Sequence, residues 1–124
     1  MTTHRYSVVM MTYNQEEFVG EALRVILEQD CEPLEILVSD DKSRDHTFER
    51  VQEVVAAYSG PHAVILNRNP VNLGITAHLN QCFRMCTGRL VIAAAGDDVS
   101  TPGRVRKIID VYQREQPLLI HSRI

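Results

Sequence analysis

Apolar positions in this chain recur with two rhythms, and the rhythms alternate from one end to the other. Tyr6 to Met11 is a β-branched, apolar run that ends in Thr12-Tyr13-Asn14, which reads as a first strand and its turn. From Gln15 to Gln29 the apolar residues Phe18, Val19, Ala22, Leu23, Ile26 and Leu27 fall at helical spacing. Asn14 is placed to cap that helix, and Glu16 and Glu17 sit in its first turn, where the helix dipole favours anions. Pro33 closes the connection. Leu34 to Ser39 is a second strand and runs straight into Asp40, Asp41 and Lys42-Ser43-Arg44-Asp45. A second helix from about His46 carries Phe48, Val51, Val54, Val55 and Tyr58 on one face and stops at Gly60-Pro61. The third strand, Ala63 to Leu66, opens into a loop over 67–74 that is dense in turn formers. Helix three is expected to bury Ile75, Leu79, Cys82, Phe83 and Cys86, with Thr87-Gly88 as its stop. Leu90 to Ala95 is a fourth strand. Thr101-Pro102 opens a fourth helix with Val105, Ile108, Ile109 and Tyr112 inward, and Leu118 to His121 has the look of a fifth strand.

Strands alternating with amphipathic helices predict an α/β fold: a Rossmann-like, mostly parallel sheet with helices on both faces and right-handed crossovers. All strand exits then lie on one edge, so Tyr13, Asp40, Asp41, Asp97 and Asp98 are expected to converge there. Asp97 and Asp98 follow Gly96 directly after a buried strand. Adjacent carboxylates repel unless they are solvated or neutralised, and a hard divalent cation is a common neutraliser. Gly-Asp-Asp alone is also ordinary turn chemistry. A second acidic turn and an aromatic at neighbouring strand exits shift the reading towards a site.

Composition narrows the choice. The 124 residues suit one domain, small for an enzyme that holds both a nucleotide and a second substrate. A net charge of −3 without a basic stripe argues against nucleic acid as a partner. Cys31, Cys82 and Cys86 are odd in number and read as small buried residues of a reducing compartment, which sets the expectation of a cytoplasmic protein. Cys82 and Cys86 lack a second ligand pair at metal-binding spacing. No apolar run approaches the roughly 20 residues of a membrane span, and the N-terminus lacks a signal-peptide profile.

Ser7 to Asn14, Ile26-Leu27-Glu28-Gln29, Glu35 to Asp45, Asn72-Leu73-Gly74 and Gly96-Asp97-Asp98 resemble, in order and spacing, the nucleotide-binding half of the family 2 glycosyltransferases of GT-A fold. The resemblance covers almost the whole chain. It implies a nucleotide-sugar donor, most often a uridine diphosphate sugar, lying across the strand exits over a divalent Mg or Mn ion, and transfer that inverts the anomeric centre. Position by position, Thr12 and Tyr13 match the turn against the base, with Tyr13 stacking. Asp41 matches the carboxylate that accepts from the base's ring N–H, and Asp40 is its neighbour that braces the loop. Asp97 and Asp98 match the metal signature, with Asp98 the direct ligand and Asp97 towards the ribose or sugar.

The chain departs from the family pattern in four places. Ala95 stands where a further Asp is usual, and Met11 where many relatives have proline. Where the family often carries an Arg that reaches the nucleotide, this chain offers His78 and Leu79: His78 substitutes, or Arg68 reaches in from the loop, or the contact is absent. No residue can be assigned as the general base, since Glu49, Glu53, Asp110 and Glu115 fall on helix faces that look solvated, and the acceptor site is expected from chain beyond this one. The sequence thus reads as a single 1–124 nucleotide-sugar-binding domain, a fragment of a longer glycosyltransferase whose glycan, lipid or small-molecule acceptor is unknown. An exposed sheet edge would favour self-association. Two other classes fit less well. A noncatalytic nucleotide-binding or assembly module shares every feature except transfer. A receiver-like Mg-binding signalling domain needs a lone Asp ending the third strand and a later Lys, whereas Asn67-Arg68-Asn69 stands there and no lysine follows Leu118.

Overall fold

The computed structural model describes residues 6–95 and 103–115. The elements run β1 (Tyr6–Thr12), α1 (Val19–Leu27), β2 (Glu35–Asp40), α2 (Thr47–Ala56), β3 (Ala63–Arg68), α3 (Ile75–Met85), β4 (Leu90–Ala95) and α4 (Arg104–Glu115). The four strands form one sheet in the order β3-β2-β1-β4, with every pairing parallel. Thr12 is level with Asp40, Asp40 with Arg68 and Met11 with Ala95, so all four strands exit at one edge. Successive crossovers lead from β1 out to β3 and then back to β4 on the other side of β1. That reversal opens a crevice at the exit of β1.

Alternation along the strands sorts the core into two layers. Val8, Met10, Ile36, Val38, Ile92 and Ala94 face α1, α2 and α4, where Leu23, Ile26, Val51, Val105 and Ile109 meet them. Val9 and Leu37 face the other way, against Cys82 of α3, with Met11, Cys86 and Val91 half-buried beside them. Each fully buried side chain of this size stabilises the fold by about 1.5–3 kcal/mol relative to exposure. Both faces are therefore covered as expected, but the second by α3 alone among the described residues. Burial pushes the Cys82 thiol up and the Cys86 thiol up to about 11, so both pack as protonated, unreactive groups.

Two helices differ from the sequence reading. α1 begins at Val19, not Gln15: residues 15–18 form a turn that leads into it, in which Gln15 O accepts from Phe18 N at 3.0 Å and Val19 N at 2.9 Å, and Asn14 before it takes a left-handed φ of 51°. Asn14 caps nothing in α1. Its Oδ1 accepts from Arg44 N at 2.8 Å and its N donates to Ser43 Oγ at 2.9 Å, tying the β1 and β2 turns together, and Glu16 and Glu17 lie ahead of the helix. In α3 the buried positions are His78 and Cys82, while Ile75 is 82% exposed and Phe83 44%. The ring of His78 is drawn inward by Ser39, whose Oγ lies 2.8 Å from Nε2, and hydrophobic periodicity cannot register that polar anchor. The expected Thr101-Pro102 start of helix four and the strand at Leu118 to His121 lie outside the described residues.

At the opposite sheet edge, Glu35 is buried and accepts from Ser7 Oγ at 2.9 Å, Thr87 N at 2.9 Å and Thr87 Oγ1 at 2.8 Å. Gly88 passes so close to β1 that an added Cβ would stand 2.7 Å from Ser7 N and 2.8 Å from the carbonyl carbon of Tyr6. Backbone cannot yield as a side-chain tip can, so Gly88→Ala is expected to cost about 2 kcal/mol by overpacking. A urea unfolding midpoint equal to that of the wild type would show instead that β4 shifts away from β1 freely.

Candidate nucleotide cleft at the strand exits

Strand alternation gives adjacent carboxylates opposite tasks. Asp40, the last residue of β2, is fully buried; it accepts from Thr12 Oγ1 at 2.8 Å, from Ser43 N at 2.8 Å and from Ser43 Oγ. Arg68 Nε lies 3.9 Å away. This carboxylate locks the exit of β1 to the turn after β2. Asp41, one residue on, turns to the α3 side. Its Oδ1 accepts from Asn69 Nδ2 at 3.0 Å and from Leu73 N at 2.8 Å, and its Oδ2 accepts from Gly74 N at 3.0 Å. Its backbone adds two more ties, the carbonyl to Asn72 Nδ2 and the N–H to Thr12 O. Burial works to raise the Asp41 pKa, but the donors from Leu73, Asn69 and Gly74, with His78 nearby, hold it below the ordinary carboxylate value. Gly74 meets Asp41 with φ at 85°, a conformation that favours glycine, and starts α3 there.

Around Asp41 opens a cleft of about 490 Å³ lined by Met11, Thr12, Tyr13, Asn72, Ile75 and His78, among others. Its volume suits a small-molecule ligand. Tyr13, 40% exposed, offers an aromatic wall, while Thr12 is buried beneath. His78 closes the floor: burial lowers its pKa against the pull of Asp41 and Asp40, which leaves the imidazole uncharged at neutral pH. Ser39 Oγ links His78 to Asn67, and Asn67 to Asn69. The cleft thus combines apolar walls with few polar groups, each fixed from behind.

Of the residues singled out from sequence, Thr12, Tyr13, Asp41 and His78 line this cleft, and Asp40 lies beneath it as an internal brace. Arg68 does not reach in; it lines a separate cleft on the far side of Tyr13. Gln15, Asn72 and Ile75 were not given roles, although the density of turn formers from Asn67 to Gly74 marked the loop that carries Asn72. Asp97 and Asp98 lie outside the described residues. β4 reaches the cleft edge at Ala95, level with Met11 and two positions before Asp97. Among the described residues no group of three His, Cys, Asp or Glu side chains could hold a metal ion. Asp40 is filled with N–H and O–H donors and Asp41 already accepts from three, the opposite of what a cation ligand needs, which leaves Asp97 and Asp98 as the candidates the sequence offers for a metal. Their paired oxygen donors fit a hard divalent ion. Glu49, Glu53 and Asp110 are solvated.

The model of the family described as Glycosyl transferase family 2 matches residues 7–124. A Bacillus subtilis (strain 168) relative that bears the provisional name glycosyltransferase EpsE is 31% identical over 112 residues, 90% of this chain and 40% of its own length. Among solved structures, S. aureus TarS 1-349 in complex with UDP superposes with a TM-score of 0.79 at 22% identity, covering 91% of this chain and 33% of that one. The mannosyltransferase PcManGT from Pyrobaculum calidifontis, in complex with GDP-Man and Mn2+, superposes with a TM-score of 0.70 at 30% identity, covering 77% of this chain and 28% of its own. The chain therefore spans less than half the length of each of these relatives. No helix among the described residues is long and apolar enough to cross a membrane.

Proposed function

The chain belongs to glycosyl transferase family 2 and has the GT-A type of fold, and from that footing we propose that its cleft binds the nucleotide of a uridine diphosphate sugar for inverting transfer to an acceptor. The observation that carries this reading is the Asp41 carboxylate at the cleft. A carboxylate offers about four acceptor positions. Three are taken by Asn69, Leu73 and Gly74, which leaves one on Oδ2. A single vacant acceptor suits the one ring N–H of uracil, whereas guanine presents two adjacent donors and calls for two free oxygens. Tyr13 then stacks on the base, Thr12 supports the turn under it, and the neutral imidazole of His78 stands where many relatives carry an arginine. The relatives in complex with UDP, and with GDP-Man and Mn2+, support a nucleotide ligand and a divalent ion.

Asp98, with Asp97 beside it, would hold Mg or Mn; bound there, the ion would neutralise charge growing on the leaving diphosphate. The residues of the cleft orient and desolvate the base, and Asp40 keeps the β1 and β2 turns in register beneath it. No described residue is assigned as general base.

Calorimetric titration with UDP and GDP, with and without manganese, tests the proposal. Metal-dependent binding with UDP preferred is expected. Asp98→Ala should weaken UDP by about tenfold or more in manganese and little in its absence, since it removes a charged ligand. Folded protein that binds neither nucleotide would sink the reading, and equal affinity for both would sink the role given to Asp41.

A further inference from the structure

Beyond Tyr13 lies a second cleft, of about 590 Å³, lined by Lys42, Ser43, Arg44, Arg68, Val71 and Asn72 as well as Tyr13. The chain as a whole carries −3, yet the charged side chains lining this cleft are all cationic. Each is set in place by local structure. Arg68 lies over the ring of Phe48 with its guanidinium carbon 5.3 Å from the centroid, and its Nη2 donates to Ser43 O at 3.5 Å. Lys42 takes a φ of 60°, a left-handed conformation uncommon for residues other than glycine, asparagine or aspartate. Arg44 has its backbone N–H held by Asn14 Oδ1. Among the described residues the side chains of Lys42 and Arg44 are exposed and make no hydrogen bond or ion pair. Of these cations Arg68 is partly countered, its Nε 3.9 Å from Asp40 Oδ2, but that carboxylate is buried and also takes hydrogen bonds from Thr12 and Ser43, and the Arg68 side chain stays 42% exposed.

We propose that this cleft is an anion site that takes a phosphate group, held by Lys42, Arg44 and Arg68 and separate from the nucleotide cleft across Tyr13. A guanidinium fork matches phosphate oxygens, a lysine supplies a mobile point charge, and a concave wall lined by cations concentrates field. The cations of this cleft recognise charge, so the group bound is the charged end of something larger or a small free anion. A soluble phosphate or diphosphate and the phosphate headgroup of a lipid share that chemistry. Val71, 56% exposed on the rim, is compatible with both. The site does not depend on the nucleotide reading, since no group proposed to contact base or metal is among its cations.

The test uses isotope-labelled protein in metal-free buffer with chelator, which removes any cation-bridged phosphate binding. Inorganic phosphate and pyrophosphate are titrated while amide shifts are followed. In a second arm, phosphatidylcholine vesicles with and without phosphatidic acid are assayed by sedimentation. Shifts confined to residues 42–44 and 71–72, weakened about tenfold or more in Lys42→Gln/Arg44→Gln and by added salt, establish the site for a soluble ligand. Binding only to phosphatidic-acid vesicles, lost in the same double variant, establishes it for a lipid-borne one. Shifts elsewhere, binding unchanged in the variant, or binding in neither arm overturns the proposal. UDP affinity in manganese, measured on the same double variant, should equal that of the wild type. Wild-type protein that binds phosphate here yet fails to bind UDP would sink the nucleotide reading and leave this one standing.

Discussion

Asp41→Ala is expected to lower UDP affinity by at least about a hundredfold, because one truncation removes the base acceptor and releases the loop that walls the cleft. The three donors it serves, Asn69 Nδ2, Leu73 N and Gly74 N, have no other acceptor among the described residues. Leaving a buried donor unmade costs roughly 1–3 kcal/mol. Because the loop lies at the surface, water will recover part of that, and a loss of about 3 kcal/mol in local stability is expected, concentrated at Leu73 and Gly74. Asp41→Asn keeps the shape but turns an amine towards N–H donors, so it should fall between wild type and alanine. Amide hydrogen exchange at Leu73 and Gly74, set beside calorimetry, separates the two effects. Loss of affinity with exchange unchanged would mean that Asp41 acts on the ligand alone. Wild-type affinity with fast exchange would remove it from the site. The pH dependence has a definite sign. The folded pKa lies below the unfolded value of about 3.9, so the stabilisation is complete above that value and is lost as pH falls through the folded pKa. Protection of the two amides should therefore hold from neutral pH to about 5 and fail only in stronger acid.

The different tasks of Asp40 and Asp41 could not be read from the sequence, where they are two equal members of one acidic turn. Strand geometry separates them: successive side chains point to opposite faces, so one is drawn under Thr12 and the other towards α3. The strands and their parallel order were legible because buried β-branched runs are hard to mistake for anything else once helices alternate with them. Their ends ran longer than hydrophobicity suggested, since Thr12, Asp40 and Arg68 are polar yet stay in the ladder. What periodicity missed was polar anchoring inside the fold. His78 turns α3 by reaching Ser39, Asn14 bridges to Arg44 instead of capping α1, and Glu35 is buried in a strand that reads as apolar. In each case a side-chain hydrogen bond spanning about 30 or more positions sets the local geometry, and no local pattern carries that information. The resemblance to a family supplied the cleft residues Thr12, Tyr13 and Asp41, while the second, basic cleft had no sequence signal beyond scattered cations.

Glu35 yields the second large effect, on stability and away from the ligand. Its carboxylate gathers Ser7, from β1, and Thr87, from the turn between α3 and β4, at the start of β2. Ser7 Oγ in turn accepts from Gly88 N, so one carboxylate sets how β4 approaches β1. Glu35→Ala strips acceptors from the Ser7 hydroxyl, the Thr87 N–H and the Thr87 hydroxyl in a buried position, which should cost about 3 kcal/mol or more. For a small domain this is a large fraction of a total of about 5–15 kcal/mol. Glu35→Gln keeps an oxygen for Ser7 and the Thr87 N–H, and its amine can donate to Thr87 Oγ1, so about 1 kcal/mol is expected. Urea unfolding followed by circular dichroism gives both numbers. A similar loss in the two variants would show that charge, through a partner other than these three donors, dominates. Glu35 begins β2 and the cleft lies at its other end, so folded Glu35→Ala should bind UDP as the wild type does, whereas Asp41→Ala should fold and fail to bind. The opposite pattern would mean that the two edges of the sheet are coupled through β2, with the cleft held open only when the far edge is locked.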